Sequence, residues 1–327
     1  MGRVLRGLLA TFFVLALLAG GAALFAMRAY NAPGPLPSYR AVVVPRGGID
    51  ELAEALEREG VVVSALQFRT AALLTLRGGA LRAGELEFPA NASLRQALAV
   101  LRSGRPVQHR FTIPEGLTAA QVVRLLDQST TLTGETPMPE EGRLLPETYA
   151  FERGTTRAAL LERARAAMDR TLDRAWAARN PAVPFASPEQ ALVLASIVER
   201  ETGLPDERSR IAAVFLNRLR LGMKLQSDPT VVYGASGGLG VLDHGLTRRE
   251  LERDDPYNTY RIAGLPPGPI SMPGRAALQA TLQPAETDEL YFVADGTGGH
   301  AFARTIEEHN RNVARWREVE RARAGRL

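Results

Sequence analysis

Ser187-Pro188-Glu189-Gln190-Ala191-Leu192-Val193-Leu194-Ala195-Ser196-Ile197-Val198-Glu199-Arg200-Glu201-Thr202 is the stretch on which the reading of this chain turns. Ser187 suits an N-cap, Pro188 the first helical position and Gln190 the N3 position of a capping box. The next eight residues are apolar apart from Ser196, and a helix apolar all round is a buried one. Two acidic residues close it. Glu199 shares a face with Leu192, Ala195 and Ser196, and Glu201 shares one with Leu194, Ile197 and Val198. A carboxyl held against apolar neighbours ionises less readily, so its pKa rises towards the range useful to a general acid. A frayed helix end, with two solvated glutamates paired to Arg200 or Arg208, is the plainer account of the same spacing.

Downstream, a second helix is expected over 206–221. Ile211, Val214, Phe215, Arg218 and Leu219 form its inward stripe, and Gly222 suits the position just past its end. The chain then turns loop-rich: Gln226-Ser227-Asp228-Pro229-Thr230, Asp255-Pro256-Tyr257-Asn258-Thr259-Tyr260 and Gly264-Leu265-Pro266-Pro267-Gly268-Pro269. Tyrosine rings stack on sugar faces and amides bond hydroxyls, so Gln226, Asp228, Tyr257, Asn258 and Tyr260 on rigid loops suit a carbohydrate-binding wall. Leu290-Tyr291-Phe292-Val293-Ala294 reads as a buried strand. The glycine loop after it places His300, and is no P-loop because no Gly-Lys-Ser/Thr follows.

Upstream, 160–178 reads as a charged helix. Three short units share one pattern of strand, proline and amphipathic helix: Val42-Val43-Val44-Pro45 before Leu52 and Leu56, Leu86-Glu87-Phe88-Pro89 before Leu94 and Leu98, and Phe111-Thr112-Ile113-Pro114 before Val122 and Leu126. Units this small bury no face alone and should pack together. Residues 7–27 carry no charge; at about 1.5 Å per residue they cross a hydrocarbon core of roughly 30 Å. Arg3 and Arg6 before them favour a cytoplasmic N-terminus. A cleaved signal peptide, with 22–26 as its small-residue site, has a shorter apolar core of about 7–15 residues. Asn31-Ala32-Pro33-Gly34-Pro35-Leu36-Pro37 reads as an extended linker lifting a folded body off the membrane.

Composition narrows the chemistry. The chain has 327 residues, 45% hydrophobic and 23% charged, which fits a packed core and, by length, two domains. It has no cysteine, which excludes disulfide scaffolds, thiolate zinc sites and cysteine nucleophiles. A net charge of +4, spread along the chain, gives no reason to expect a nucleic-acid partner. His109, His244, His300 and His309 show no metal-ligand spacing, so no metal site is expected. Lys224 is the sole lysine, so Schiff-base chemistry would have to use it.

Leu194-Ala195-Ser196-Ile197-Val198-Glu199-Arg200-Glu201-Thr202, Val214-Phe215-Leu216-Asn217-Arg218-Leu219, Leu225-Gln226-Ser227-Asp228-Pro229-Thr230-Val231, Tyr257-Asn258-Thr259-Tyr260, 264–270 and Tyr291-Phe292-Val293-Ala294 together resemble the endolytic murein transglycosylase (MltG/YceG-like) family. The resemblance runs from the anchor to about Trp316. It implies an α+β protein in five parts: a cytoplasmic N-terminus (1–6), a transmembrane helix (7–27), the linker (28–40), a LysM-like subdomain (41–106) and a catalytic domain (107–327). It implies a single-pass inner-membrane protein whose periplasmic body acts on peptidoglycan glycan strands, without metal or organic cofactor, beside penicillin-binding synthases. The family's catalytic glutamate falls on Glu199. Asn217, Gln226, Asp228, Tyr257, Asn258, Tyr260 and His300 are the expected substrate contacts, with Glu201, Asp228 and Glu147 open as assistants. One motif departs from the family: E-G-x-L-F-P-D-T-Y stands here as Glu141-Gly142-Arg143-Leu144-Leu145-Pro146-Glu147-Thr148-Tyr149. Two rivals remain. A pyridoxal-phosphate lyase would depend on Lys224, which follows a helix end, and a non-catalytic wall-binding scaffold would use the same anchor and LysM-like region.

Overall fold

Residues 2–324 are described by the computed structural model, with side chains from 5 to 323. Met1 of the expected cytoplasmic tail, residues 325–327 of the expected catalytic domain and the Arg3 side chain lie outside the described part. The chain divides into two units, Met1–His109 with Ala150–Gly154, and Arg110–Tyr149 with Thr155–Leu327.

The first unit runs α1 (Gly2–Asn31), β1 (Arg40–Val44), α2 (Ile49–Arg58), α3 (Ala65–Leu74), β2 (Gly84–Phe88) and α4 (Leu94–Ser103). β1 and β2 pair antiparallel with Val42 opposite Leu86. Strand alternation turns Val42, Val44, Leu86 and Phe88 inward, onto Leu52 and Leu56 of α2 and Leu98 and Leu101 of α4. Ser93 and Gln96 close a capping box at the start of α4. Two strand–proline–helix units therefore pack together as expected. The third does not join them, because its helix belongs to the second unit. The expected linker is also different from a free spacer: α1 continues to Asn31, and Leu36 is fully buried in the first unit's core. The amide of Gly34 donates to Asn91 O (3.1 Å), and a side chain at position 34 would run into the Ala92 carbonyl.

In the second unit the order continues with β3 (Gln108–Thr112), α5 (Ala119–Asp127), β4 (Thr148–Glu152), α6 (Arg157–Ala177), α7 (Pro188–Glu201), α8 (Pro205–Arg220) and α9 (Asp228–Ala235). It closes with α10 (Arg248–Glu252), α11 (Arg275–Leu282), β5 (Tyr291–Ala294), β6 (His300–Ala303) and α12 (Ile306–Ala324), and the boundary between the units runs through β3 and β4. α7 is the central helix: every residue from Ala191 to Val198 is buried. Ile197 and Val198 meet Ile211 and Phe215 of α8, while Leu192 and Ala195 meet Met168 and Leu172 of α6 and Leu278 of α11. Each of these side chains larger than alanine contributes about 1.5–3 kcal/mol on burial. Ser196 is the polar exception, and it is fully bonded. Its hydroxyl donates to Val193 O (2.7 Å) and accepts from Ile270 N (3.0 Å), and its carbonyl accepts from Ser271 Oγ (3.0 Å). The residues before α11 are thereby pinned along α7.

Two local expectations change. Ser187 is the N-cap of α7 and Pro188 opens the helix, but no capping box closes. Gln190 instead accepts from Ala186 N (2.8 Å), and the Ser187 hydroxyl turns to Glu189. β5 is only half-buried; among the described residues it pairs with β6, Ala294 opposite His300.

Candidate active site

The last turn of α7 holds two glutamates on different faces, where the partial negative charge of the helix end disfavours a second anion. Glu199 Oε2 accepts the Gly274 amide at 2.8 Å. The rest of its surroundings come from the turn after β3. Gly116, at φ +73°, lies beside it: a Cβ there would be in ordinary van der Waals contact, 3.9 Å from Glu199 Cγ and 3.6 Å from Arg200 Cδ. Gly116 N donates to Met272 O (2.9 Å) and Met272 N to Leu117 O (2.7 Å), so the 114–117 turn and the 272–274 segment form one frame. Arg200 closes it, donating to Gly116 O (3.1 Å) and Gly240 O (3.0 Å). Burial pushes the Glu199 carboxyl above its ordinary 4.5; the Gly274 amide pulls it down, the Glu115 charge adds to the rise, and Arg208 opposes it.

Glu201 has a different set of partners. Ser227 Oγ donates to Glu201 Oε1, and Tyr260 donates to Asp228 Oδ1 at 2.6 Å. Arg218 is buried, with its guanidinium on Leu290 O (2.6 Å) and Leu225 O (2.8 Å). His300 is gripped by Glu207, through its amide (2.8 Å) and Nδ1 (2.7 Å). Desolvation raises the Glu201 carboxyl to about 7, against the Ser227 hydrogen bond; the Asp228 charge adds to the rise, and His300 and Arg218 oppose it. Below this value the folded chain binds a proton that the unfolded chain, at 4.5, has begun to release, so stability falls as pH climbs from about 4.5 to about 7. Glu201→Gln keeps the acceptor for Ser227 and removes the titration. Its urea midpoint at about pH 8 should therefore exceed the parent's, with the two converging near pH 4. Equal midpoints at both pH values would contradict the assignment.

The expected substrate contacts thus divide. Gln226, Asp228, Tyr260 and His300 gather around Glu201 rather than Glu199. Asn217 braces the chain before β5, donating to Thr287 O (2.7 Å) and Glu289 O (3.1 Å). Asn258 requires a correction: it is 1% exposed, and its amide donates to the carbonyls of Glu250, Leu251 and Arg253 at the end of α10, so it has no face for a sugar. Tyr257 packs on Tyr233, ring centroids 4.8 Å apart. Glu147 is exposed and paired with Arg275 at 2.7 Å.

Sequence reasoning missed Glu141. Its carboxylate accepts from Ala119 N (3.0 Å) at the start of α5 and from Tyr233 Oη (3.2 Å), and burial raises it above 4.5. The signal lies in the motif 141–149 itself, whose first carboxylate precedes a glycine in the left-handed conformation, Gly142 at φ +75°. Gly116 and Gly274 were also missed, since backbone amides leave no side-chain trace.

The family model described as YceG-like matches residues 42–315. The chain is 31% identical to a protein named endolytic murein transglycosylase from Streptococcus pneumoniae serotype 2 (strain D39 / NCTC 7466), over 84% of this chain and 58% of that protein. It is 37% identical to the protein of the same name from Bacillus subtilis (strain 168), over 53% of this chain and 47% of that one. The chain therefore spans about half the length of the curated relatives it matches. Among solved structures it is similar to the crystal structure of a YceG-like protein from Listeria monocytogenes, with a TM-score of 0.52 at 29% identity, over 84% of this chain and 99% of that one.

Proposed function

The chain belongs to the YceG-like family, and from that premise we propose that it is an endolytic lytic transglycosylase of peptidoglycan. The bond cut is the β-1,4 link between N-acetylmuramic acid and N-acetylglucosamine, within the glycan strand. The observation that carries this reading is the Glu199 carboxyl: held by one backbone amide, half-buried at the end of an apolar helix, and pushed towards its protonated form. A protonated carboxyl gives its proton to the glycosidic oxygen as the C1–O bond breaks. The resulting carboxylate takes the proton of the muramic acid 6-hydroxyl as O6 bonds to C1. The net change moves one proton from O6 to the leaving oxygen, closes a 1,6-anhydro ring and consumes no water. One carboxyl performs both transfers, where a hydrolase needs two. Activity should fall on the alkaline side, as Glu199 loses its proton.

The test is mass spectrometry of fragments released from purified sacculi by the purified protein. Fragments with 1,6-anhydro ends are expected. Binding without release would favour the scaffold reading.

The same proposal covers placement. α1 contains a 27-residue span, Leu5–Asn31, whose most apolar 18 residues have a mean hydropathy of 2.4 and are none of them buried in the protein, long and apolar enough to cross a membrane. In this reading it crosses the inner membrane with its N-terminus in the cytoplasm, residues 41–106 act as a LysM-like wall-binding subdomain, residues 107–327 cut glycan in the periplasm, and penicillin-binding synthases supply the nascent strands. An alkaline phosphatase fused after Leu327 should be active in a bacterial host; an inactive fusion beside an active cytoplasmic reporter would overturn the orientation.

A further inference from the structure

Within the first unit, α1 and α3 share an apolar groove of about 500 Å³. Phe25, Met27 and Tyr30 lie on one wall and Leu66, Ala71 and Leu74 on the other. α3 has two faces. Phe68 and Ala72 point into the core, while Leu66, Leu73 and Leu74, on the opposite side at helical spacing, are 61%, 51% and 80% exposed. Val63 before the helix and Leu76 after it are also exposed, by 66% and 61%. Single exposed leucines are ordinary, but five exposed large aliphatic side chains within residues 63–76, two of them lining an apolar groove, mark an interaction surface.

What covers it follows from how α1 joins the unit. There is no slack between them: Tyr30 packs on the core, and Leu36 is buried in it. The 27-residue span is about 40 Å long against a hydrocarbon core of roughly 30 Å, so its last turns stand at headgroup level. Arg28 falls there and Arg77 follows α3, both exposed cations of the kind that attract lipid phosphates. The groove is therefore continuous with a helix whose own exposed surface is lipid-facing.

We propose that the outer face of α3, formed by Val63, Leu66, Leu73, Leu74 and Leu76, is a membrane-seating surface that rests in the headgroup–acyl boundary of the bilayer that α1 crosses. This rests on the reading of α1 as a membrane span. The seat fixes the first unit against the bilayer surface instead of letting it swing on its anchor. An interfacial helix of this kind buries its apolar face by about 5–10 Å.

The absence of cysteine makes the test clean. Full-length Val14→Cys and Leu74→Cys chains are labelled with an environment-sensitive fluorophore and reconstituted in phosphatidylethanolamine–phosphatidylglycerol vesicles. Spin-labelled lipid quenches from the membrane and iodide from water. Both probes should lose emission to the lipid quencher, the probe at 74 most strongly to a label near the headgroup, and neither should respond fully to iodide. Lipid quenching at 14 with free iodide quenching at 74 overturns the seat and leaves the anchor standing. No lipid quenching at 14 overturns the anchor and the seat with it. If the probe at 74 is shielded from both quenchers and Leu74→Cys chains cross-link to one another, a second copy covers the face and the lipid assignment is wrong.

Discussion

Glu199→Gln should lower the rate of glycan cleavage by at least about 10²–10⁴-fold while leaving the fold intact. The amide keeps the shape of the carboxyl and an oxygen for the Gly274 amide, so the frame of the 114–117 turn, the 272–274 segment and Arg200 has no reason to shift. It cannot donate the acidic proton or take one back, which removes both halves of the proposed shuttle. Glu201→Gln is the control two residues away. Its partners are Ser227, Arg218 and the Asp228–Tyr260 pair, and it should retain most of the rate while gaining stability above neutral pH. The readout is release of soluble fragments from sacculi, with circular dichroism to check the fold. A near-normal rate in Glu199→Gln, or a collapse in Glu201→Gln, would move the proton donor to the other face of α7.

Gly142→Ala should be among the most destabilising single-methyl changes in the second unit. Gly142 sits at φ +75°, a left-handed conformation that costs a residue with a Cβ about 1–2 kcal/mol. The added Cβ would also lie 2.6 Å from both Cβ and Cγ of Pro269, a rigid ring that cannot swing away. Overpacking of this kind costs about 1–3 kcal/mol more. The strain would fall between Glu141, which holds the start of α5, and Ile270, which is bonded to Ser196. A drop in urea midpoint with lost activity is expected. A midpoint unchanged from the parent would show that the 141–143 turn adapts without strain and that neither φ nor Pro269 requires a glycine at that position.

Much of the second unit was legible in the sequence because burial writes itself into composition. The run from Ala191 to Val198, apolar at every position but Ser196, announced a central helix, and Gly222 announced the end of α8, where it takes φ +67°. The placement of Glu199 and Glu201 on separate faces followed from helical periodicity alone. What stayed hidden depends on contacts between distant segments. The amide of Gly274 reaches Glu199 from a segment held by distant contacts, Ser196 on Ile270 and Ser271 and the 114–117 turn on Met272. Asn258 looked like a sugar ligand because an amide on a Tyr-rich loop is ambiguous: the same group caps a helix end when carbonyls are nearer than solvent. Leu36 was hidden by its neighbours, since Pro-rich sequence reads as a spacer whether or not one leucine in it finds a core. α3 carries leucines on its outer side as well as Phe68 and Ala72 on its inner one, so no amphipathic period stands out in its sequence.

The central claim is that one carboxyl moves a proton from O6 to the leaving oxygen and that water is never a reactant. Digestion of sacculi by the purified protein in oxygen-18 water, followed by mass spectrometry of the new muramic ends, tests it most directly. The account predicts 1,6-anhydro ends with no heavy oxygen at C1. Reducing ends carrying one heavy oxygen at C1 would make the reaction a hydrolysis and require a second carboxylate beside Glu199.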